Sequence, residues 1–251
     1  MMRLLVFIFV FLSACNSKEI QVDNTPTPLI SATEYLTEAT RELQFDDFSN
    51  PGMLWVENGE TLFKQDCQSC HQDQTEMSAA ARHYPQWNET RKQLVNLEGR
   101  INLCRVENLQ ATALSYEDET LLELTTYIRH QARGQSLMLQ EETRSDSHYE
   151  RGKNYYFTRR GQFNLSCAQC HNNHWGQNLR GDTISQGHGN GFPAYRFEWE
   201  GVGSLHRRFV DCDRGVRAEP RPLGSDDYLA LEYYLSYRAG NLPIETPAIR
   251  R

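Results

Sequence analysis

Two five-residue runs carry the most specific chemistry in the chain: Cys67-Gln68-Ser69-Cys70-His71 and Cys167-Ala168-Gln169-Cys170-His171. Two thiols at this spacing can add to both vinyl groups of one haem, and the adjacent histidine then reaches the iron. A zinc site built on a CxxC pair would want a second pair close by, which the spacing does not supply. The two copies predict two covalently bound haem c groups. Cys67, Cys70, Cys167 and Cys170 are the expected attachment points, and His71 and His171 the proximal iron ligands.

Of the seven cysteines, Cys15, Cys104 and Cys212 lie outside these runs. Each run is followed by one of them, and an arginine stands four residues before each, Arg100 before Cys104 and Arg208 before Cys212. Methionine is a common sixth ligand in electron carriers and raises the potential. The methionines are Met1, Met2, Met53, Met77 and Met138, so none follows the second motif. The second iron must turn to His174, His188, His206 or Cys212, and His174 is too close to His171 for the chain to cross the haem plane easily. The simplest assignment is His71 with Cys104 on the first iron and His171 with Cys212 on the second. Met77 and Met138 remain rivals on the first. A Cys104–Cys212 disulfide is another use of the same thiols in an oxidising compartment.

The stretch from His206 to Arg221 holds six arginines and histidines in a chain whose formal net charge is −7. Positive charge beside a thiol favours the thiolate, which is the nucleophile. Guanidinium forks also suit small oxyanions. The plainer alternative is a solvated surface loop whose charges pair with Asp211, Asp213 and Glu219.

The elements that must position these groups repeat. After Cys104, apolar positions Leu121, Leu122, Leu124, Tyr127 and Ile128 recur at helical spacing, and Tyr228, Leu229, Leu231, Tyr234 and Leu235 repeat it after Cys212. Acids open both helices: Glu117, Asp118 and Glu119 in one, Asp226 and Asp227 in the other. Gly134 and Gly240 are natural stops. Further helical segments stand near Asn58–Lys64 and Tyr149–Phe157, before each motif. Gly187–Gly203 is rich in glycine and aromatic residues and reads as loop. The expected fold is mainly α: two tandem cytochrome c-like domains from an internal duplication, at 33–140 and 141–251. A polar joint at 141–147 links them.

At the N-terminus, Arg3 precedes an apolar run from Leu4 to Leu12, too short to span a bilayer as a mature helix. It ends in Leu12-Ser13-Ala14-Cys15, the form of a lipoprotein cleavage site. Residues 1–14 are then a signal peptide, Cys15 the lipid-bearing first mature residue and 15–32 a flexible tether. A plain secretory signal with a chance cysteine is the alternative. Both place the body in the periplasm. The mild acidity argues against general nucleic-acid binding.

The paired CxxCH…Cys pattern, the run from Arg208 to Pro220, the Gly224-Ser225 helix start and the tail Ile244-Glu245-Thr246-Pro247-Ala248-Ile249-Arg250 together resemble the SoxA family. That family is the dihaem cytochrome subunit of the SoxAX thiosulfate-oxidising complex. The resemblance implies an L-cysteine S-thiosulfotransferase, which joins thiosulfate oxidatively to a cysteine of the carrier protein SoxYZ. It implies Cys212 as the catalytic cysteine, often a persulfide, and Arg208 as a substrate-binding residue. Arg238 is a further anion-binding candidate. It implies haem ligation by His71, Cys104, His171 and Cys212, and a SoxX-like monohaem cytochrome as the electron-accepting partner. Two other classes compete. A dihaem electron carrier without sulfur chemistry would be indifferent to thiosulfate. A dihaem peroxidase needs an open iron, and a thiolate on the second haem argues against it.

Overall fold

A computed structural model describes residues 25–72, 74–139 and 147–251. The polar joint lies mostly outside the described residues. The helices are α1 (Glu38–Phe45), α2 (Met53–Asp66), α3 (Gln74–Arg82), α4 (Leu97–Glu107), α5 (Glu119–His130), α6 (Ser147–Phe157), α7 (Cys167–His171), α8 (Leu205–Gly215) and α9 (Asp226–Ala239). Short antiparallel pairs join β1 (Gln86–Asn88) to β2 (Gln93–Val95) and β3 (Asn178–Leu179) to β4 (Asp182–Thr183). In a third sheet, β5 (Ala194–Arg196) runs antiparallel to β6 (Gly201–Gly203) and parallel to β7 (Ala248–Arg250). The glycine- and aromatic-rich segment expected to be loop therefore supplies two strands. Alternation cannot be read from strands of three residues, which is why the sequence hid them.

Two helix pairs form the centres of two cores. In the first, α2 packs on α5, burying Val56, Phe63, Leu121, Leu124 and Ile128. In the second, α6 packs on α9, burying Tyr149, Tyr156, Tyr228, Leu231 and Tyr234. The same device sets both contacts. A Cβ on Gly59 of α2 would meet the Glu123 carbonyl oxygen and the Tyr127 Cβ of α5. A Cβ on Gly152 of α6 would meet the Ala230 carbonyl oxygen and the Tyr234 Cβ of α9. Each glycine thus lets two backbones approach, at positions of α5 and α9 that correspond in the sequence repeat.

Both trailing cysteines ride on helices. Asn96 caps α4, accepting from the Gly99 N–H at 2.9 Å, and the helix carries Cys104. Ser204 caps α8, accepting from the Arg207 N–H at 3.1 Å, and that helix carries Cys212. The segment around Cys212 is therefore helical and not the solvated loop that stood as the plainer alternative: Ser204 caps it, and His206 and Phe209 form its buried face.

The two halves are stitched together. Ile244, from the C-terminal tail, belongs to the first core, and Leu94 of β2 belongs to the second. Gln44 of α1 accepts from the Ile249 N–H at 3.0 Å, and Thr33 donates to Glu245 at 2.6 Å. Part of the expected tether is also docked: Ile30 N–H donates to Gln186 Oε1 at 2.8 Å, and Gln186 donates to the Pro28 carbonyl at 2.9 Å. These bonds hold 28–32 against the second half. Among the described residues no helix is long and apolar enough to cross a membrane.

Between the halves lie four buried charged or titratable side chains, one from each of four helices: Glu98 (α4), Arg129 (α5), His206 (α8) and Glu232 (α9). His206 Nδ1 accepts from the Gly224 N–H at 3.1 Å, so Nε2 carries the proton, facing Glu232 at 3.1 Å. Burial, then the neighbouring Glu232, pushes Glu98 up to about 7, against the opposing pull of His206 and Arg129. A carboxyl whose folded pKa is raised binds its proton more tightly when folded. Stability therefore falls as pH rises from about 4.5 to about 7. Glu98→Gln is expected to flatten that slope, worth on the order of 3 kcal/mol, in denaturant titrations at the two ends of the window.

Candidate active site

The second CxxCH motif occupies α7 itself. Gln169 accepts from the Ser166 N–H at 2.9 Å and starts the helix. His171 is turned by a 2.8 Å bond to the Ser185 carbonyl. A carbonyl only accepts, so Nδ1 carries the proton and Nε2 keeps its lone pair for a metal. Burial pushes His171 down to about 4, which keeps the ring neutral near pH 7. Gly187 (φ +76°) lays bare backbone on the imidazole, where a Cβ would come within 2.7 Å of the ring.

The thiols converge on the same place. Burial pushes Cys167 up to about 12, and negative charge on Cys212 adds to the rise. Cys170 is raised by burial and then by Cys212. Cys212 is thus within electrostatic reach of both attachment thiols. The first centre repeats this: Cys67 is pushed up to about 11, first by burial and then by Cys104. Asn108 donates to Cys104 Sγ at 3.4 Å. Phe63 sits 6.4 Å from the His71 ring, centre to centre. The six described cysteines are free, with no Cys104–Cys212 disulfide. Met77 lies in the first core, while Met138 is largely exposed.

The basic run around Cys212 is sorted by its helix. Arg208 and Cys212 are one turn apart on α8 and share a face. A Cys212 thiolate is the largest influence on Arg208 and raises its pKa. Arg207 instead stacks on Trp199, 4.4 Å from the ring centre, and Asp211 accepts from the Trp199 indole at 3.0 Å. Asp213 points into the second core, accepting from Tyr155 at 2.6 Å and Tyr228 at 2.8 Å and pairing with Arg160 at 3.1 Å. Arg217 lies over Phe163, and Arg221 pairs with Asp227 at 3.0 Å. The run is therefore not a uniform solvated surface.

The guanidinium of Arg238 is taken up beside the proximal histidine. It donates to the Gln186 carbonyl and, at 2.6 Å, to Asn172, and lies over Tyr156. Burial depresses His171 and His188, and the Arg238 charge adds to the shift of both. Buried, with its two Nη groups on protein acceptors, Arg238 supports the His171 loop. A different arginine reaches the Cys212 face. Arg196 of β5 is buried, and its charge interacts with both Arg208 and Cys212. No spacing in the sequence links Arg196 to Cys212, and a single strand residue carries no pattern that would have revealed it.

The family model for the SoxA/TsdA cytochrome c domain matches residues 54–137. A curated relative, the L-cysteine S-thiosulfotransferase subunit SoxA of Pseudaminobacter salicylatoxidans, is 41% identical over 84% of this chain and 77% of its own. The subunit of the same name from Paracoccus pantotrophus is 33% identical over 88% of this chain and 79% of its own. The chain belongs to the SoxA family. A crystal structure of SoxXA from P. pantotrophus superposes with a TM-score of 0.83 at 32% identity, covering 89% of this chain and 87% of that one.

Membership of the SoxA family carries a cytochrome c domain, and with it covalently bound haem c. The first CxxCH lies inside the matched residues. The residues present fit that group. Free thiols stand at 67, 70, 167 and 170, and the fixed His171 ring offers Nε2 from a cradle that a Cβ on Gly187 would fill.

Proposed function

We propose that this SoxA-family chain is a dihaem L-cysteine S-thiosulfotransferase subunit that couples thiosulfate to a cysteine of a SoxYZ carrier protein. The observation that carries the reading is the placement of Cys212. It shares a helix face with Arg208 and lies within electrostatic reach of Cys167 and Cys170.

In this reading Arg208 binds and orients the thiosulfate dianion through charge-assisted hydrogen bonds. Cys212 is the sulfur that meets it. Over the whole reaction the carrier thiol loses its S–H bond, a new sulfur–sulfur bond joins it to thiosulfate, and one proton and two electrons are released. When bound, haem supplies the path by which those electrons leave for a SoxX-like monohaem cytochrome partner. The partner is supported by the SoxXA match, in which a SoxA relative is part of a two-subunit assembly.

The corresponding Gly59 and Gly152 contacts, and the corresponding helices α5 and α9, support an internal duplication into cytochrome c-like domains at 33–140 and 141–251. Each domain then holds one haem, on Cys67 and Cys70 or on Cys167 and Cys170. In this reading His71 and Cys104 would hold the first iron, and His171 and Cys212 the second. The signal at 1–14 and lipid attachment at Cys15 lie outside the described residues. In this reading the protein is periplasmic and anchored by lipid. Intact mass spectrometry of the mature protein is expected to count two haems and one lipid.

The functional test is direct. Haem-loaded protein with its cytochrome partner, given thiosulfate and SoxYZ, is expected to add one thiosulfate unit to the carrier cysteine and to reduce the cytochrome. Cytochrome cycling without any carrier adduct would leave the dihaem electron-carrier reading in its place.

A further inference from the structure

Arg196 and Arg208 approach Cys212 from opposite elements, strand β5 and helix α8. Two guanidinium groups on one face repel each other, and the repulsion shows: Arg208 helps to depress the pKa of Arg196, after burial. One carboxylate lies between them. Glu198 Oε1 accepts from Arg196 Nε at 3.1 Å and from Arg196 Nη2 at 2.9 Å. The same oxygen is 3.9 Å from Arg208 Nη1. The exposures differ in kind: the Arg196 side chain is 7% exposed and that of Glu198 51%. Arg196 is held in place, with its guanidinium over Trp199. Glu198 is half exposed to solvent.

We propose that Arg196 and Arg208 form a two-guanidinium seat for a sulfur oxydianion beside Cys212, and that Glu198 occupies this seat until a dianion displaces it. The proposal rests on the reading of Cys212 as the thiosulfate-coupling sulfur and adds to it a second anchoring arginine and a source of selectivity.

The selectivity follows from charge. With Glu198 in place, the two guanidinium groups share one carboxylate. A monoanion that displaces Glu198 exchanges one negative charge for another and gains nothing in Coulomb energy. A dianion neutralises both guanidinium groups, while Glu198 is rehydrated at the surface at small cost. The internal carboxylate therefore penalises chloride-like ions, which are abundant, more than it penalises thiosulfate. It also keeps the buried Arg196 from being left unpaired when the seat is free of substrate.

The test is isothermal titration of the haem-loaded protein with its cytochrome partner, in the absence of carrier protein. The probes are thiosulfate as the dianion and thiocyanate as the monoanion. Glu198→Gln is expected to bind thiosulfate roughly tenfold more tightly than wild type and to bind thiocyanate, for which wild type gives no heat. In turnover with carrier protein its KM for thiosulfate falls. Arg196→Lys keeps the charge but loses the fork, and is expected to weaken thiosulfate binding roughly tenfold. Should Arg196→Lys fail to fold, Glu198→Gln, at a half-exposed site, still decides. Equal affinities of Glu198→Gln and wild type for both anions would overturn the seat, as would no thiosulfate binding by either. The coupling reading fails separately: a wild-type protein that binds thiosulfate with these selectivities but transfers none to the carrier keeps the seat and loses the reaction.

Discussion

Cys212→Ser is expected to bring thiosulfate-dependent turnover to below about one thousandth of the wild-type rate, on the scale of losses that follow removal of a nucleophile. The serine fits the same half-buried position on α8. Oxygen cannot replace it, because the step needs a sulfur–sulfur bond and a soft, readily oxidised donor. Four attachment thiols are untouched, so intact mass is expected to show an unchanged haem count. That separates loss of chemistry from loss of assembly. Cys104→Ser is the matched control: Cys104 stands beside Cys67 and next to Asn108, away from the Arg208 face, and its loss is expected to leave carrier modification measurable. Turnover by Cys212→Ser at near wild-type rate would remove Cys212 from the reaction.

Gly152→Ala is expected to cost about 3 kcal/mol, near the upper end for inserting a methyl group into a packed contact. The new Cβ would lie 1.9 Å from the Ala230 carbonyl oxygen and 2.8 Å from the Tyr234 Cβ. Neither is the end of a flexible side chain, so α6 must move away from α9. The damage spreads to the site. Tyr156 of α6 donates to Asn172 at 2.7 Å, and Asn172 accepts from Arg238, which supports the His171 loop. A thermal melt of the haem-loaded protein is expected to fall by roughly 10 °C. Gly215→Ala is the contrast, since a Cβ there meets nothing within 4 Å, and its melt is expected to stay within about 2 °C of wild type.

Much of the helical framework was legible. The apolar spacing from Leu121 and from Tyr228 lies within α5 and α9, and the segments read before each motif lie within α2 and α6. Acidic first turns marked the right starts: Asp118 caps α5 through a 3.0 Å bond to the Thr120 N–H. Helices α4 and α8 escaped because their stripes are mixed. Glu98, His206 and Asp213 are buried in them, and a polar residue on an inner face breaks the period that reveals a helix. The docking of residues 28–32 was also hidden, since the sequence shows only polar and proline residues and not the Gln186 that bonds them.

The two CxxCH runs needed no fold to be recognised. Their thiols and histidine are contiguous, so the geometry that attaches a haem is written in five residues, and the four-residue step from Arg208 to Cys212 becomes a shared face as soon as the segment is helical. The tertiary structure decided what local spacing cannot express. It set Arg196 and Glu198 of the β5 segment against the Arg208 face, committed Arg238 to Gln186 and Asn172, and clamped the C-terminal tail onto α1. These contacts join residues far apart in the chain. A side chain's type states what it can bind; only the packing of distant backbone segments determines which group it meets.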